Sequence, residues 1–259
     1  FDCRFVLTDP EAGQRAYTEG HIPGARYAHL DADLSSTITA TSGRHPLPDP
    51  EVVAGKLGRW GVDSSKQVVA YDDAAGAIAA RLWWLLRWLG HGAVAVLDGG
   101  VGKWQQEKRP LSDCLPSPAP TVVQARRDDT MWTSTEDVER LVAEGSRLLI
   151  DVRAEERFKG EVEPLDRVAG HVPGAVNHPL TQNLDLQGCF LSAEQLRNEF
   201  LELLKGATPA NVVVMCGSGV TACHDILAME RAGLHGAKLY AGSWSEWIRD
   251  GHRPVAIGA

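Results

Sequence analysis

The chain has 259 residues and a formal net charge of −8, from 26 Lys and Arg against 34 Asp and Glu, with 44% hydrophobic and 23% charged residues. That balance suits a globular protein of two ordinary domains; it offers no apolar run approaching the roughly 20 residues of a membrane-spanning helix and no basic patch for nucleic acid. Five cysteines, Cys3, Cys114, Cys189, Cys216 and Cys223, are scattered without metal-ligand spacing, so no metal or cofactor is expected, and a reducing cytoplasm is the expected compartment.

In chain order, His21-Ile22-Pro23-Gly24-Ala25 is the first punctuation, a Pro-Gly turn whose glycine supplies unusual backbone angles. Asp31 and the stretch Arg44-His45-Pro46-Leu47-Pro48 have the polar and proline-rich character of surface loops. Val68–Tyr71 reads as a strand, and Asp72 behind it is placed to cap the helix beyond. That helix carries Trp83, Trp84 and Trp88, a spacing that points to packing. A second strand is predicted at Ala93–Leu97. From Lys108 to Asp129, Pro110, Pro116, Pro118 and Pro120 cluster and periodicity disappears. We take residues 1–112 as a first domain, 113–130 as the linker and 131–259 as a second domain, each near the common size of about 100–150 residues.

The second half repeats the first. Leu148–Val152 reads as a strand, and His171-Val172-Pro173-Gly174-Ala175 restates the first motif 150 residues later. Val212-Val213-Val214-Met215-Cys216 answers Val68-Val69-Ala70-Tyr71-Asp72 at an offset of 144 residues. Amphipathic stretches at Ser192–Leu204 and Val220–Ala232 and a strand at Ala237–Tyr240 complete an α/β order. Such a long period signals duplicated domains, not a solenoid. His21 and His171, although tempting as bases, occupy equivalent places in both halves, and their expected work is to brace the Pro-Gly turns.

Residues 216–222 read Cys-Gly-Ser-Gly-Val-Thr-Ala. A strand delivers Cys216 to a glycine-rich turn at the mouth of a helix, where backbone N–H groups curl around an anion. The thiolate is the reactive form of cysteine, so this placement marks Cys216 as a candidate nucleophile. Cys223, seven residues on, reads as a structural thiol.

The loop, the paired His-x-Pro-Gly-Ala motifs, Arg81-Leu82-Trp83-Trp84 and Gly242-Ser243-Trp244-Ser245-Glu246-Trp247 resemble, over essentially the whole chain, the tandem-domain rhodanese family and its 3-mercaptopyruvate sulfurtransferase branch. The resemblance implies two rhodanese-like α/β domains, each a small parallel sheet flanked by helices. The first is expected to be catalytically silent, because Asp72 stands where the second has Cys216. It also implies a reaction: sulfur passes from 3-mercaptopyruvate to a Cys216 persulfide and on to an acceptor thiol, such as that of thioredoxin, or to cyanide.

By the same resemblance Arg157 grips the substrate carboxylate, a task suited to its fork of donors. Ser218, His45 and Asp31 handle the proton, and Gly217, Gly219, Val220 and Thr221 line the cradle. The family's second arginine normally follows a Glu-Pro pair, whereas Glu163-Pro164 is followed here by Leu165-Asp166-Arg167; either Arg167 reaches that spot from a shifted loop, or the enzyme manages with one arginine and a looser substrate preference. The alternative reading is a thiosulfate sulfurtransferase, although Gly217 and Ser218 are uncharged where that branch carries basic residues. A phosphatase of this architecture would need arginine where Ala222 stands, and a purely binding module would have lost the nucleophile.

Overall fold

The computed structural model describes residues 1–145 and 148–258. The chain divides into two compact units that are not continuous in sequence. The first comprises Phe1–Ser36, Leu47–Asp129 and Leu186–Cys189; the second comprises Thr37–Pro46, Thr130–Asp185 and Phe190–Ala259.

In the first unit β1 (Val68–Ala70) pairs in parallel with β2 (Val94–Val96), Val68 facing Val94. Bridges from Asp2 to Tyr27 and Tyr71 extend this sheet. Around it lie α1 (Ala12–Glu19), α2 (Leu30–Asp33), α3 (Pro50–Arg59), α4 (Ala79–Trp88) and α5 (Gly100–Gln106). Asp49 caps α3 through the Glu51 and Val52 amides, with Pro50 preset at its first position. The tryptophans of α4 are core residues, and Trp84 stacks on Trp88 with centroids 5.8 Å apart. Fully burying one such ring contributes about 1.5–3 kcal/mol or more. The proline-rich stretch has no helix before Asp129, yet it is stitched to the first unit: Thr121 N donates to Gly58 O, and Arg126 N to Leu89 O.

The second unit holds a five-stranded parallel sheet in the order β3 (Trp132–Thr133), β7 (Lys238–Tyr240), β6 (Val212–Met215), β4 (Leu148–Asp151), β5 (Val176–Asn177). All four residues of β6 are buried, as its unbroken apolar sequence requires of a central parallel strand. The helices are α6 (Thr135–Glu144), α7 (Glu155–Phe158), α8 (Ala193–Leu204), α9 (Ala222–Arg231) and α10 (Ser243–Trp247). Capping boxes, Ser134 with Asp137 and Ser192 with Gln195, start α6 and α8. Val138, Leu149, Val213, Met215, Trp244 and Trp247 share one apolar core. Every strand read from the sequence is present within a residue or two; β3 and β5, two residues each, were not signalled because such short pairs carry no periodicity.

The duplication extends to buried chemistry. Arg4 closes a fork on Asp2 and donates to Gly20 O at 2.8 Å, and Arg153 does the same with Asp151 and Gly170 O at 2.7 Å. His21 Nδ1 bonds Tyr17 O, and His171 Nδ1 bonds Phe158 O, each at 2.8 Å, with each imidazole stacked on the ring whose carbonyl it bonds. Both histidines brace their turns.

Candidate active site

The apolar strand β6 ends at Cys216, and the Gly242–Trp247 motif fixes the loop backbone beyond it. Cys216 N donates to Ser243 Oγ at 3.0 Å, and Ser243 Oγ donates to Tyr240 O at 2.8 Å. Ser243 sits at φ +52°, a left-handed backbone unusual for serine. Trp244 N and Ser245 N then donate to the carbonyls of Cys216 and Gly217 at 3.0 and 2.9 Å. With its outer edge tied, the chain turns back on the sulfur: Ser218 N and Gly219 N donate to Cys216 Sγ at 3.4 and 3.1 Å. The turn requires glycine at 219, where φ is +77° and an added Cβ would lie 2.3 Å from Ala241 O. Cys216 is only 2% exposed. Val220 and Thr221 carry the chain into α9, whose start no side chain caps. Cys223 is fully buried and donates to Gly219 O at 3.5 Å.

His45 belongs to the second unit, in the excursion Thr37–Pro46. Residues of α10 and just beyond hold that excursion: Gly43 N donates to Glu246 Oε2 and Arg44 N to Ser245 Oγ, each at 3.0 Å, and Arg249 Nε donates to Ser42 O at 3.0 Å. His45 Nδ1 and Ser218 Oγ are consequently hydrogen-bonded at 2.7 Å, both side chains buried. Asp31 belongs to the first unit, in the opening turn of α2, where burial pushes its carboxyl above the usual carboxylate range.

Two guanidiniums stand beside Gly217. A Cβ on that glycine would lie 2.9 Å from Arg44 Nη2 and 3.8 Å from Arg157 Nη1. Arg157 is oriented by Glu163, with Nη2 donating at 2.8 and 3.0 Å and Nε at 3.3 Å, and reaches Asp166 at 3.3 Å. Asp166 is also paired with Arg44. Burial pushes Glu163 upward, but the hydrogen bonds from Arg157 and from the Leu165 and Asp166 amides outweigh it and hold the carboxyl below its usual range. At Asp166 burial wins and the carboxyl is raised despite Arg44 and Arg157. The structure does not bring Arg167 to this place: its guanidinium donates to the carbonyls of Ile248 and Arg249, just past the C-terminal end of α10. Arg44 takes the position expected of it. Arg44 was missed because its chain neighbours place it in a surface loop; its adjacency to His45 was the available signal.

Sequence reasoning also missed a buried network in the first turns of α9. His178 Nδ1 bonds Asp225 Oδ2 at 2.8 Å, and Asn183 Nδ2 donates to Asp225 Oδ1 at 2.6 Å. Burial pushes the His178 imidazole downward, but Asp225 outweighs it and the net shift is upward; Asp225 is held below its usual range by His178 and His224 against burial.

Rhodanese-like domain sequences match residues 1–107 and 134–250, a cover that takes in both halves and the cysteine loop. The chain belongs to the rhodanese-like domain family. It is 48% identical over 259 residues to a probable 3-mercaptopyruvate sulfurtransferase of Pseudomonas aeruginosa, covering 99% of this chain and 91% of that one. It is 38% identical over 258 residues to SseB of Mycobacterium tuberculosis, a putative thiosulfate sulfurtransferase, covering 99% and 90%. Among solved structures, SseA from Escherichia coli, presented with the fold and mechanism of 3-mercaptopyruvate sulfotransferases, superposes with a TM-score of 0.80 at 33% identity, over 95% of this chain and 92% of that one. The fold is therefore two rhodanese domains, as read from the motifs. Among the described residues no group of three or more His, Cys, Asp or Glu is arranged to hold a metal ion, and no helix is long and apolar enough to cross a membrane.

Proposed function

We propose that this chain is a 3-mercaptopyruvate sulfurtransferase working through a persulfide on Cys216, with the first domain catalytically silent. The observation that carries the reading is the cradle itself: a cysteine sulfur receiving two backbone N–H bonds, with a Ser218–His45 pair at 2.7 Å and guanidiniums beside Gly217. The Cys216 thiolate attacks the thiol sulfur of 3-mercaptopyruvate. The S–S bond forms as the C–S bond breaks, and the bonding pair leaves on carbon as the enolate of pyruvate. The proton of the substrate thiol passes through Ser218 and His45 and ends on that carbon, a relay in which general acid–base help contributes typically 10²–10⁴-fold. Arg157 holds the substrate carboxylate by its fork. Ser218 N and Gly219 N, already aimed at sulfur, stabilise the persulfide anion without reorganising. A second thiol, such as that of thioredoxin, or cyanide then removes the outer sulfur and restores the thiolate. Asp31 completes the relay by family resemblance alone. A reducing compartment such as the cytoplasm suits a protein with no disulfide among its described residues.

The second reading, thiosulfate sulfurtransferase, is favoured by one observation: two guanidiniums beside the loop offer charge to a dianion. Comparing kcat/KM for 3-mercaptopyruvate and thiosulfate with one acceptor thiol, and Cys216→Ser as the blank, separates the two. Preference for 3-mercaptopyruvate supports the first reading; preference for thiosulfate replaces it with the second; and activity that survives Cys216→Ser overturns both.

A further inference from the structure

We propose that Arg44 and Asp166 together set which sulfur donor the Cys216 loop accepts: Arg44 supplies a second guanidinium from outside the usual motif, and Asp166 cancels its charge, so that the site takes a monoanionic thiol acid in preference to a dianion. This rests on the sulfurtransferase reading above and adds to it the residues that determine specificity.

The first observation is the position of Arg44. Leu165 follows the Glu163-Pro164 pair where the family pattern carries an arginine, and Arg167 is bound to carbonyls beyond α10. Arg44 fills the gap from the excursion that also delivers His45. Its backbone N–H is tied to Ser245 Oγ, so the start of the side chain is fixed by the same motif that fixes the cysteine loop. Its Nη2 is the side-chain atom closest to the open face of Gly217. Its Nε is buried with no hydrogen-bond partner among the described residues, a donor whose burial is costly until an acceptor arrives.

The second observation is the count of charge. Arg44 and Arg157 bring two positive charges; Glu163 and Asp166, 4% and 5% exposed, bring two negative ones. Glu163 acts on Arg157 and Arg153, gripping the former from behind. Asp166 is different, because its two oxygens bridge Arg44 and Arg157 and so lie between the two guanidiniums that face the loop. A donor with one negative charge, held mainly by planar hydrogen bonding, tolerates that carboxylate. A donor with two meets it as a like charge in a site screened from water, where such juxtaposition is strongly unfavourable. Neutral Gly217 and Ser218 therefore coexist with two arginines without making a dianion site.

The test is the ratio of kcat/KM for thiosulfate over 3-mercaptopyruvate in three proteins, measured with one acceptor thiol: wild type, Asp166→Asn and Arg44→Gln. Asp166→Asn is expected to raise the ratio by about tenfold or more, and Arg44→Gln to lower it at least several-fold, on the scale of close charge pairs in excluded-water sites. The opposite signs are the signature, since a merely structural role for either residue would lower both donors together and leave the ratio alone. Arg44 is partly exposed, so Arg44→Gln carries the test should Asp166→Asn fail to fold. Ratios within twofold of wild type, or moving in the same direction in both variants, overturn the inference. Wild type turning over 3-mercaptopyruvate with unmoved ratios leaves the sulfurtransferase reading intact; wild type acting on neither donor removes that reading, and the inference with it.

Discussion

Asp72 and Cys216 stand at the ends of equivalent strands, and each is met by a ring of backbone N–H groups, but one ring is closed and the other is open. Asp72 Oδ1 accepts from Ala74 N and Gly76 N at 2.9 and 2.8 Å, and Oδ2 from Ile78 N and Ala79 N, both at 2.8 Å. Cys216 Sγ accepts, among the described residues, from the Ser218 and Gly219 amides, at longer range. The duplicated loop is an anion cradle in both halves. A resident carboxylate saturates it in the first and turns it into a structural cap; a sulfur leaves it able to receive charge created during a reaction in the second.

The largest expected difference is in stability. Asp72→Ala leaves four buried or partly buried N–H groups without an acceptor, and with about 1–3 kcal/mol for each orphaned donor the loss should reach several kcal/mol in urea denaturation. Cys216→Ala removes a weaker acceptor and should cost only about 1 kcal/mol while abolishing activity. Equal losses would break the comparison. Gly219→Ala sharpens it from the backbone side: with φ +77° and Ala241 O 2.3 Å from the new Cβ, the turn must open, and kcat should fall about 10²-fold or more as the aligned donors are lost. Gly217→Ala crowds the flexible tip of Arg44 and reaches Arg157 at ordinary contact distance, and should chiefly raise KM.

The smallest effect concerns pH. Burial pushes His178 downward and Asp225 outweighs it, so the imidazole ends above its ordinary value. Its stabilisation is therefore complete below the unfolded value of about 6.5 and is lost as pH rises through the folded one. Asp225 is shifted the other way, burial being outweighed by His178 and His224, and its contribution is lost as pH falls below the ordinary carboxylate range. The stability gap between wild type and His178→Gln should be widest from about pH 4 to 6.5 and should narrow toward alkaline pH. A gap independent of pH would mean that the pair contributes no charge interaction.

The parts of the molecule legible in the sequence were local or repeated. The strand, glycine turn and helix around Cys216 were visible because apolar runs and glycine positions encode them within about twenty residues, and the duplication was visible because its motifs survive in both halves. The Ser218–His45 bond joins residues 173 positions apart, and only family resemblance anticipated it. Arg44, read as a surface-loop residue, stands where Arg167 was expected, because nothing in a one-dimensional pattern tells an arginine that faces an anion from one that binds helix-end carbonyls. The task of Ser243, Ser245 and Glu246, fastening the cysteine loop and the His45 excursion to one short helix, was equally hidden, since polar residues in a helix ordinarily read as solvated.

Whether sulfur travels on Cys216 can be read by intact-mass spectrometry. Wild-type protein given 3-mercaptopyruvate without an acceptor should gain the mass of one sulfur atom, mapped by peptide analysis to Cys216, release one pyruvate per sulfur bound, and lose the added mass when a thiol is supplied. Pyruvate release with no sulfur on Cys216, or sulfur carried on the exposed Cys114 with Cys216 unmodified, would contradict transfer through Cys216.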